Sequence, residues 1–239
     1  MRLKLACAAA TLLLAAQGAY AQFSSTVTLT SDYDFRGYSQ SAKDPALQGS
    51  LDYALPNGFA VGAWASNVDF GDSVDGDIEL DLYGNYTGEI NDKTSWVAGF
   101  VYYLYPGSDA SATKVAIGEY PEYYAGINAG PLSFKQWYSN DLYELDEDGW
   151  YTEGNATIEL PQSFLLLLHA GYSWGDYWDL AGGEIFDYSV GVGYAIKNFS
   201  LNLKLTGTDA SGAQQITSDA ANNEDRVIFS VATTLPWGE

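Results

Sequence analysis

Apolar and polar residues alternate along most of this chain with the two-residue period of a β-strand. The alternation is clearest in four segments: residues 78–86, 186–196, 199–206 and 227–235. In the third of these, Leu201, Leu203 and Leu205 are separated by Asn202 and Lys204. Successive side chains of a strand point to opposite faces, so each segment predicts a strand with one apolar face and one polar face.

Twelve strand-like segments can be placed along the sequence, although the third, fifth and ninth have apolar residues in both phases. They span residues 23–35, 46–55, 59–67, 77–87, 94–105, 119–129, 132–143, 150–160, 164–174, 185–196, 199–208 and 225–235. The apolar row of the first strand comprises Phe23, Val27, Leu29, Tyr33 and Phe35. A soluble β-sandwich and a membrane barrel both use strands of this kind, so the pattern alone leaves the environment of the apolar face open.

The connections between the predicted strands alternate in length. Five are tight turns, at residues 56–58, 90–93, 130–131, 161–163 and 197–198. The six between them are mostly longer and polar, at residues 36–45, 68–76, 106–118, 144–149, 175–184 and 209–224. An even number of strands, with short turns at one end and long loops at the other, is typical of outer-membrane proteins. The sequence therefore predicts an all-β fold, a single antiparallel transmembrane β-barrel of 12 strands with short periplasmic turns and long extracellular loops.

The beginning of the chain predicts export. Arg2 and Lys4 precede an apolar run too short to span a bilayer as a helix, and Ala19-Tyr20-Ala21 fits a cleavage site. We predict a secretory signal peptide over residues 1–21 and one β-barrel domain over residues 22–239, located in the outer membrane of a Gram-negative cell after export through the periplasm. The single cysteine, at position 7, lies in the signal, so we expect no disulfide in the mature chain.

The composition is strongly acidic, with 31 Asp and Glu against 10 Lys and Arg and a formal net charge of −21. Such an excess argues against nucleic acid as a partner, because phosphate binding requires a surplus of basic residues. It favours cations, and contact with lipopolysaccharide through divalent cations. The 19 tyrosines and 7 tryptophans suit the aromatic belts of a barrel in lipid, although aromatic residues are also good strand formers in soluble proteins.

Several segments carry a family resemblance. They are SDYDFRGYSQSAKDPALQGSLDY (31–53), GAWASNVDFGD (62–72), IELDLYGNYTG (78–88), YYLYPG (102–107) and EYPEYYAG (119–126). These segments resemble the Gcw_chp family, also labelled TorF-family porins, which are secreted proteobacterial proteins regarded as outer-membrane barrels. The resemblance implies the fold and the location, and it implies no catalytic or ligand-binding residue.

Twelve strands fall between eight-stranded barrels, which side chains fill, and 16–18-stranded porins, which enclose an aqueous channel. We therefore expect a narrow lumen whose selectivity depends on its lining. The polar phase of the strands predicts these lining or constriction residues: Asp32, Asp34, Arg36, Asp52, Glu79, Asp81, Lys135, Asp187 and Lys204. Because carboxylates dominate, the predicted function is passive passage of small polar or cationic solutes. The alternative is a closed barrel with a structural or surface-interaction role, in which the carboxylates pair with the few bases.

Arg36 lies where the first strand meets its loop. In that position it would either narrow the pore or bind an anionic group of a solute. The interpretation we favour is a charge pair with Asp34 or Asp44 that fixes the loop. Gly37 would then supply a turn conformation that residues with a side chain avoid.

Acidic residues also gather in the second long loop. The candidate metal ligands are Asp69, Asp72, Asp75 and Asp77, whose oxygens suit Ca²⁺ or Mg²⁺. Their spacing does not match the calcium-binding EF-hand loop. We therefore favour a solvated acidic rim and predict no cofactor.

Two other classes of protein use similar strands. An outer-membrane lipid hydrolase needs a nucleophile beside a base, but Ser173 is the first serine on the strand face of His169, about 13 Å away. We expect His169 to be an isolated polar residue facing the interior, and the protein not to be an enzyme. A secreted, sugar-binding β-sandwich is the remaining alternative. The sequence leaves open the solute, the width of the lumen and the oligomeric state.

Overall fold

The computed structural model describes residues 22–237, so the predicted signal peptide lies outside the described residues. Twelve long strands account for most of this region and are numbered here in chain order. They are β1 (Gln22–Thr30), β2 (Ala46–Ala54), β3 (Phe59–Asn67), β4 (Ile78–Asn91), β5 (Thr94–Leu104), β6 (Tyr120–Ala129), β7 (Leu132–Ser139), β8 (Gly149–Glu159), β9 (Phe164–Trp174), β10 (Ile185–Ile196), β11 (Phe199–Thr208) and β12 (Arg226–Leu235).

The strands form one closed sheet. Each strand pairs antiparallel with the next, and β1 closes the barrel by pairing with β12, where Thr30 lies opposite Ser230 and Ser25 opposite Leu235. Closure leaves no edge strand whose backbone groups would need other partners. The predicted 12-stranded antiparallel barrel is confirmed, and the β-sandwich alternative is wrong because all twelve long strands of the described residues lie in one closed sheet.

The apolar side of the strands faces outward. Leu29 on β1 and Leu47 on β2 have 55% and 61% of their surface exposed, whereas their neighbours Thr30 and Ala46 are buried. Rows of exposed Leu, Val, Ile and Phe around the whole barrel would be a liability in water and are suited to lipid. The predicted outward orientation of the apolar rows is therefore confirmed.

Aromatic side chains stack across neighbouring strands at both ends of the outer face. At the end with the long loops the stack comprises Tyr138, Trp150 and Trp174, with ring centroids 4.4 and 5.2 Å apart. At the end with the short turns it comprises Phe59, Tyr86 and Trp96, with centroids 4.8 and 5.3 Å apart. Two separated aromatic bands are expected at the two interfaces of a membrane with water.

The long loops contain short elements of their own. They are a helix, α1 (Asp176–Leu180), the 3₁₀ turns Leu142–Glu144 and Gly212–Gln214, and two-residue strand pairs at 34–35 with 38–39 and 74–75 with 115–116. Within residues 22–237, no helix is long and apolar enough to cross a membrane.

The first long loop differs from the prediction. β1 ends at Thr30 rather than at residue 35, and residues 31–45, here named the inner loop, leave the wall and fold into the barrel. The Thr30 hydroxyl donates to the Asp32 carbonyl at 2.8 Å, and the chain reverses at Arg36 and Gly37, whose φ angles are 51° and 84°. The predicted turn conformation of Gly37 is confirmed, since a positive φ costs glycine little.

Tyr33 and Phe35 therefore lie inside the barrel, and their predicted place in the outward apolar row of the first strand was wrong. The alternation continues past Thr30 because residues 34–35 and 38–39 form a small hairpin, which has the same two-residue period as the wall. β7 also ends early, at Ser139 rather than at residue 143, because the next turn buries Leu142.

Candidate functional site

Three ion pairs fix the inner loop to the barrel wall. Arg226 on β12 donates from Nε to Asp32 at 2.8 Å and from Nη2 to Asp34 at 2.7 Å. Lys204 on β11 donates to the other oxygen of Asp34 at 2.7 Å. Burial alone would raise the pKa of Asp34, but Lys204 and Arg226 outweigh burial, so this pKa is lowered and the carboxylate stays ionised.

Arg36, at the turn of the inner loop, reaches the opposite wall. Its two terminal nitrogens donate to both oxygens of Glu122 on β6 at 2.9 and 2.7 Å, and its guanidinium lies 4.1 Å from the ring centroid of Tyr151. The side chains of Arg36 and Glu122 are only 8% and 1% exposed. Two-point pairing together with stacking on a ring is a property of arginine that lysine lacks. The predicted partners Asp34 and Asp44 were wrong, because Asp34 is already paired with Arg226 and Lys204.

A layer of tyrosines supports the inner loop from the wall. Tyr103 donates to Glu122 at 2.9 Å, and Tyr105 and Tyr33 donate to Glu79 at 3.0 and 2.7 Å. Burial and the nearby Glu79 carboxylate raise the pKa of Tyr105, so its phenol remains a donor. The long-loop end of the interior is therefore occupied by interlocked aromatic and charged side chains.

The wall formed by β2 to β4 carries carboxylates without basic partners. Asp52 accepts hydrogen bonds from the hydroxyls of Tyr83 and Ser50, and Glu79 accepts only from tyrosines. The Oδ1 atom of Asp81 is enclosed and has no hydrogen-bond partner among the described residues. No lysine or arginine nitrogen of residues 22–237 lies within 4.0 Å of these three carboxyl groups.

His169 on β9 faces the interior, as predicted, but the prediction that it is isolated was wrong. Its Nε2 lies 2.8 Å from Asp187 and 3.0 Å from the Tyr151 hydroxyl, and its Nδ1 lies 2.7 Å from Asn155. Ser173 is not among these partners. Both ring nitrogens are held by groups of neighbouring strands, so the histidine ties β8, β9 and β10 together on the inner face.

Lys135 on β7 differs from the other interior cations. Its Nζ lies 5.0 Å from the ring centroid of Tyr124 and 5.1 Å from that of Trp137. Arg36, Lys204 and Arg226 each have a carboxylate within 2.8 Å. No carboxylate oxygen of the described part of the chain lies within 4.0 Å of Lys135 Nζ, which is the limit for an ion pair.

The acidic second loop does not assemble a metal cluster. Asp75 pairs with Lys114 at 3.0 Å and accepts from the backbone N–H of Asp109, and these contacts lower the pKa of Asp75. Asp69 accepts from the backbone of Gly71 in its own turn. In the described ranges no three His, Cys, Asp or Glu side chains are arranged to hold a metal ion. Asp69, Asp72, Asp75 and Asp77 therefore stay candidate ligands only, and the solvated acidic rim stays the prediction.

The structure brings the predicted lining residues to the inside by two routes. Six lie on the inner face of the wall: Asp52, Glu79, Asp81, Lys135, Asp187 and Lys204. Asp32, Asp34 and Arg36 reach the inside on the inner loop instead of on a strand. Glu122 and Glu153 were missed, although the alternation of Tyr120, Glu122 and Tyr124 places Glu122 in the inward phase.

A closed 12-stranded transmembrane barrel with a charged interior and an inward-folded loop has the architecture of small porins. Residues 15–235 match the family described as a bacterial protein of unknown function, Gcw_chp. The chain therefore belongs to the Gcw_chp family, as the sequence resemblance predicted. No match to a curated protein was found.

Solved porin structures share the fold at low sequence identity. The KdgM porin is similar with a TM-score of 0.54 and 11% identity, over 90% of this chain and 99% of the porin. The KdgM porin in complex with disordered oligogalacturonate is similar with a TM-score of 0.55 and 10% identity, over 92% of this chain and 100% of the porin. The NanC porin is similar with a TM-score of 0.54 and 10% identity, over 89% of this chain and 98% of the porin.

Proposed function

We propose that the protein is an outer-membrane, porin-like channel for passive passage of small polar or cationic solutes. The observation that carries this proposal is the inner face of the barrel, which is polar and charged while the outer face is apolar. The inward carboxylates are Asp32, Asp34, Asp52, Glu79, Asp81, Glu122, Glu153 and Asp187. They outnumber the inward basic residues Arg36, Lys135, Lys204 and Arg226.

The inner loop supports a narrow constriction at the long-loop end. Its ion pairs hold Arg36 against Glu122 and Asp34 against Lys204, so the loop cannot swing freely as an exposed loop would. Beneath it, the unpaired carboxylates Asp52 and Asp81 face the interior. Rings of carboxylates attract cations and repel anions in a confined pore. A cation entering this barrel would therefore first pass the inner loop, whose charges are paired, and then the carboxylates on the wall formed by β2 to β4.

The outer-membrane location is supported by the exposed apolar rows, the two aromatic bands and the similarity to porin folds. Lipid and lipopolysaccharide are then the partners of the outer face. A porin of similar fold was solved in complex with disordered oligogalacturonate, which is a polar sugar chain. We propose the same broad class of polar solute for this chain, and the acidic wall favours cations within that class.

Planar-bilayer recording tests the proposal directly. The protein is refolded in detergent, checked by the shift of its gel mobility on heating, and added to a bilayer in KCl. Stepwise, uniform current increases are expected from insertion of single open barrels. Their absence, with the same preparation folded and inserted in liposomes, would contradict the channel proposal.

A closed barrel with a structural or surface-interaction role is the second candidate. It is favoured by the burial of Arg36, Glu122 and the tyrosine layer at the long-loop end. Deletion of residues 34–39 separates the two candidates. A channel conducts in both forms and conducts more after the deletion, whereas a closed barrel conducts only after the deletion.

A further inference from the structure

His169 is the only histidine of the chain, and its neighbours define where its protons lie. Asn155 Nδ2 donates to Glu153 Oε2 at 2.9 Å, so the amide oxygen of Asn155 is the atom that faces His169 Nδ1 at 2.7 Å. An amide oxygen accepts hydrogen bonds and cannot donate them. Nδ1 of His169 therefore carries a proton.

The second ring nitrogen of His169 meets a carboxylate, since Nε2 lies 2.8 Å from Asp187 Oδ1. A ring protonated only at Nδ1 would place a lone pair against this oxygen, whereas an imidazolium donates to it. Imidazole is a stronger base than a carboxylate, so a proton on this contact belongs to the nitrogen. The two contacts together define a doubly protonated, positively charged His169.

Asp187 depends on this proton because it has few other donors. Its side chain is 2% exposed, and its Oδ2 is enclosed without a hydrogen-bond partner among the described residues. The Tyr151 hydroxyl also donates to Oδ1, at 3.2 Å, but it lies 3.0 Å from His169 Nε2 as well. The hydroxyl has one proton and cannot donate to both atoms in full. A neutral His169 would therefore compete with Asp187 for the Tyr151 proton.

The charged groups around His169 come from the neighbouring strands, since the inner face of β9 adds no other titratable side chain. Asp187 lies on β10, and Glu153 on β8 is 3.9 Å from Nδ1. Lys204 on β11 opposes a positive ring, but its own charge is paired with Asp34 at 2.7 Å. Carboxylates on both sides of the ring thus favour its charged form.

Asp187 and Tyr151 support the turn of the inner loop. The guanidinium of Arg36, which is paired with Glu122, lies 4.1 Å from the ring centroid of Tyr151. A Cβ atom at Gly37 would lie 3.0 Å from Asp187 Cβ, so the turn packs directly on this side chain. The loop therefore rests on a phenol and a carboxylate that both contact the histidine.

We propose that His169 is a positioning residue, which as an imidazolium holds Asp187 and Tyr151 beneath the inner loop and weakens this support when it loses its proton. Folding then favours the protonated ring. Its stabilising effect is complete below the ordinary histidine pKa of about 6.5 and is lost as the pH rises. Only the effect on passage through the lumen rests on the proposed function, because a loosened loop would widen the constriction.

Nitrogen NMR of the folded barrel in detergent micelles tests the charge of His169. The mature protein is made without a histidine tag and with labelled histidine, so every imidazole signal belongs to His169. At pH 7 an ordinary imidazole is mainly neutral and has two widely separated nitrogen shifts. His169 should show mainly the two similar shifts of an imidazolium. Asp187→Asn should convert most of the signal to the neutral form, whereas Asp52→Asn, which removes a lumen carboxylate on another wall, should leave it unchanged.

Urea unfolding between about pH 6 and pH 8.5 tests the support of the loop. The wild-type midpoint should decrease over this range, and the midpoint of His169→Gln, which has no proton to lose here, should change by less than half as much. Single-channel conductance should rise with pH in the wild type and stay constant in His169→Gln. The heat-dependent gel shift establishes that each variant is folded.

A mainly neutral imidazole in the wild type at pH 7 would overturn the proposal, as would identical spectra of the wild type and Asp187→Asn. A wild-type midpoint that stays constant or rises between about pH 6 and pH 8.5 would overturn the support of the loop. These two measurements decide the proposal even where His169→Gln does not fold. If bilayers show no current at any pH while spectra and midpoints follow the expectation, the channel proposal fails and the positioning role stands.

Discussion

At the scale of single residues, the inside of this barrel is organised by a few contacts between distant positions. Arg36 and Glu122 are 86 residues apart, and Lys204 and Asp34 are 170 apart. The two-residue period of the strands places Glu122 and Lys204 inside, which is why the lining residues of the wall could be predicted from the sequence. Their partners could not be predicted, because pairing depends on how the inner loop folds after the barrel closes.

Gly37 provides the first test at this scale. Its φ angle is 84°, and a Cβ atom there would collide with the side chain of Thr208 and lie 3.0 Å from Asp187 Cβ. Gly37→Ala is expected to destabilise the barrel by about 2–4 kcal/mol, since the strain of a positive φ and a steric clash add up. The measurement is the midpoint of urea unfolding in detergent.

Gly107 is a matched control for Gly37. It has the same φ of 84°, but nothing lies within 4 Å of a Cβ atom at that position. Gly107→Ala should therefore cost only the backbone strain, about 1–2 kcal/mol. Equal effects of the two substitutions would show that Gly37 is not packed against the wall.

The pairing of Arg36 with Glu122 gives the second prediction. Glu122→Gln leaves a buried guanidinium without its carboxylate, and the expected loss of unfolding free energy is about 3–5 kcal/mol. The double variant Arg36→Met with Glu122→Met should lose less, because no buried charge is left unpaired. The wild type, Arg36→Met, Glu122→Met and the double variant form the double-mutant cycle, and they are compared together with Glu122→Gln by urea unfolding.

The exposed pair of Lys43 and Asp219 is the control for this cycle, with side chains 37% and 71% exposed. Lys43→Met should change the unfolding free energy by less than about 1 kcal/mol. A Glu122→Gln effect as small as that of Lys43→Met would mean that Arg36 is solvated rather than locked in the lumen.

At the scale of elements, the wall and the inner loop differ in how much the sequence reveals. Alternation and turn residues together identified all twelve strands, although β3, β5 and β9 have apolar residues in both phases. Alternation could not separate β1 from the hairpin that follows, since Tyr33 and Phe35 continue the apolar phase. β1 ends at Thr30 because Asp32 and Asp34 form ion pairs with Arg226 and Lys204 inside the barrel.

The anchoring of the inner loop predicts a dependence on pH. The pKa of Asp34 is lowered on folding, so its stabilising effect is complete above the ordinary aspartate pKa of about 4 and is lost as the pH falls through the lowered value. We expect the contribution of Asp34 to the urea concentration at the unfolding midpoint to be constant from about pH 7 to pH 5. At pH values below about 4, we expect that midpoint concentration to decrease. Asp34→Asn should remove part of this acid-induced loss.

Asp44, in the same loop but exposed, is the control for Asp34. Asp44→Asn should leave the acid-induced fall of the midpoint unchanged. A wild-type midpoint that rises on acidification below about pH 4 would contradict the sign of the argument, because it would mean that ionised Asp34 destabilises the loop.

Glycine on the inner wall leaves room for a neighbouring aromatic ring to lie against the wall. A Cβ atom at Gly62 on β3 would lie 2.5–2.6 Å from the ring of Tyr83, which lies flat over this glycine and donates to Asp52. Gly62→Ala is expected to push the ring of Tyr83 into the lumen and to lower the single-channel conductance. The measurement is planar-bilayer recording.

The double variant Gly62→Ala with Tyr83→Ala should recover the conductance, because the displaced ring is gone. Gly154→Ala on β8, where nothing lies within 4 Å of a Cβ atom, should leave the conductance at the wild-type value. A Gly62→Ala channel that conducts like the wild type would show that Tyr83 does not border the conducting path.

At the scale of the whole molecule, one closed sheet separates two environments. The outward rows are apolar and the inward rows are polar, and each strand contributes to both because its side chains alternate. The chain has a formal charge of −21, and eight carboxyl side chains and four basic side chains of the described residues lie inside the barrel. Composition could predict that excess, but the concentration of unpaired carboxylates on β2 to β4 became visible only once the partners of each base were known.

The central claim is that the lumen is an acidic passage for cations, and the reversal potential in a KCl gradient across a planar bilayer tests it most directly. The account predicts a reversal potential with the sign of K⁺ preference, reduced in the variant Asp52→Asn, Glu79→Gln, Asp81→Asn, because these three carboxylates have no basic partner within the described residues. A potential with the sign of Cl⁻ preference in the wild type would contradict the account.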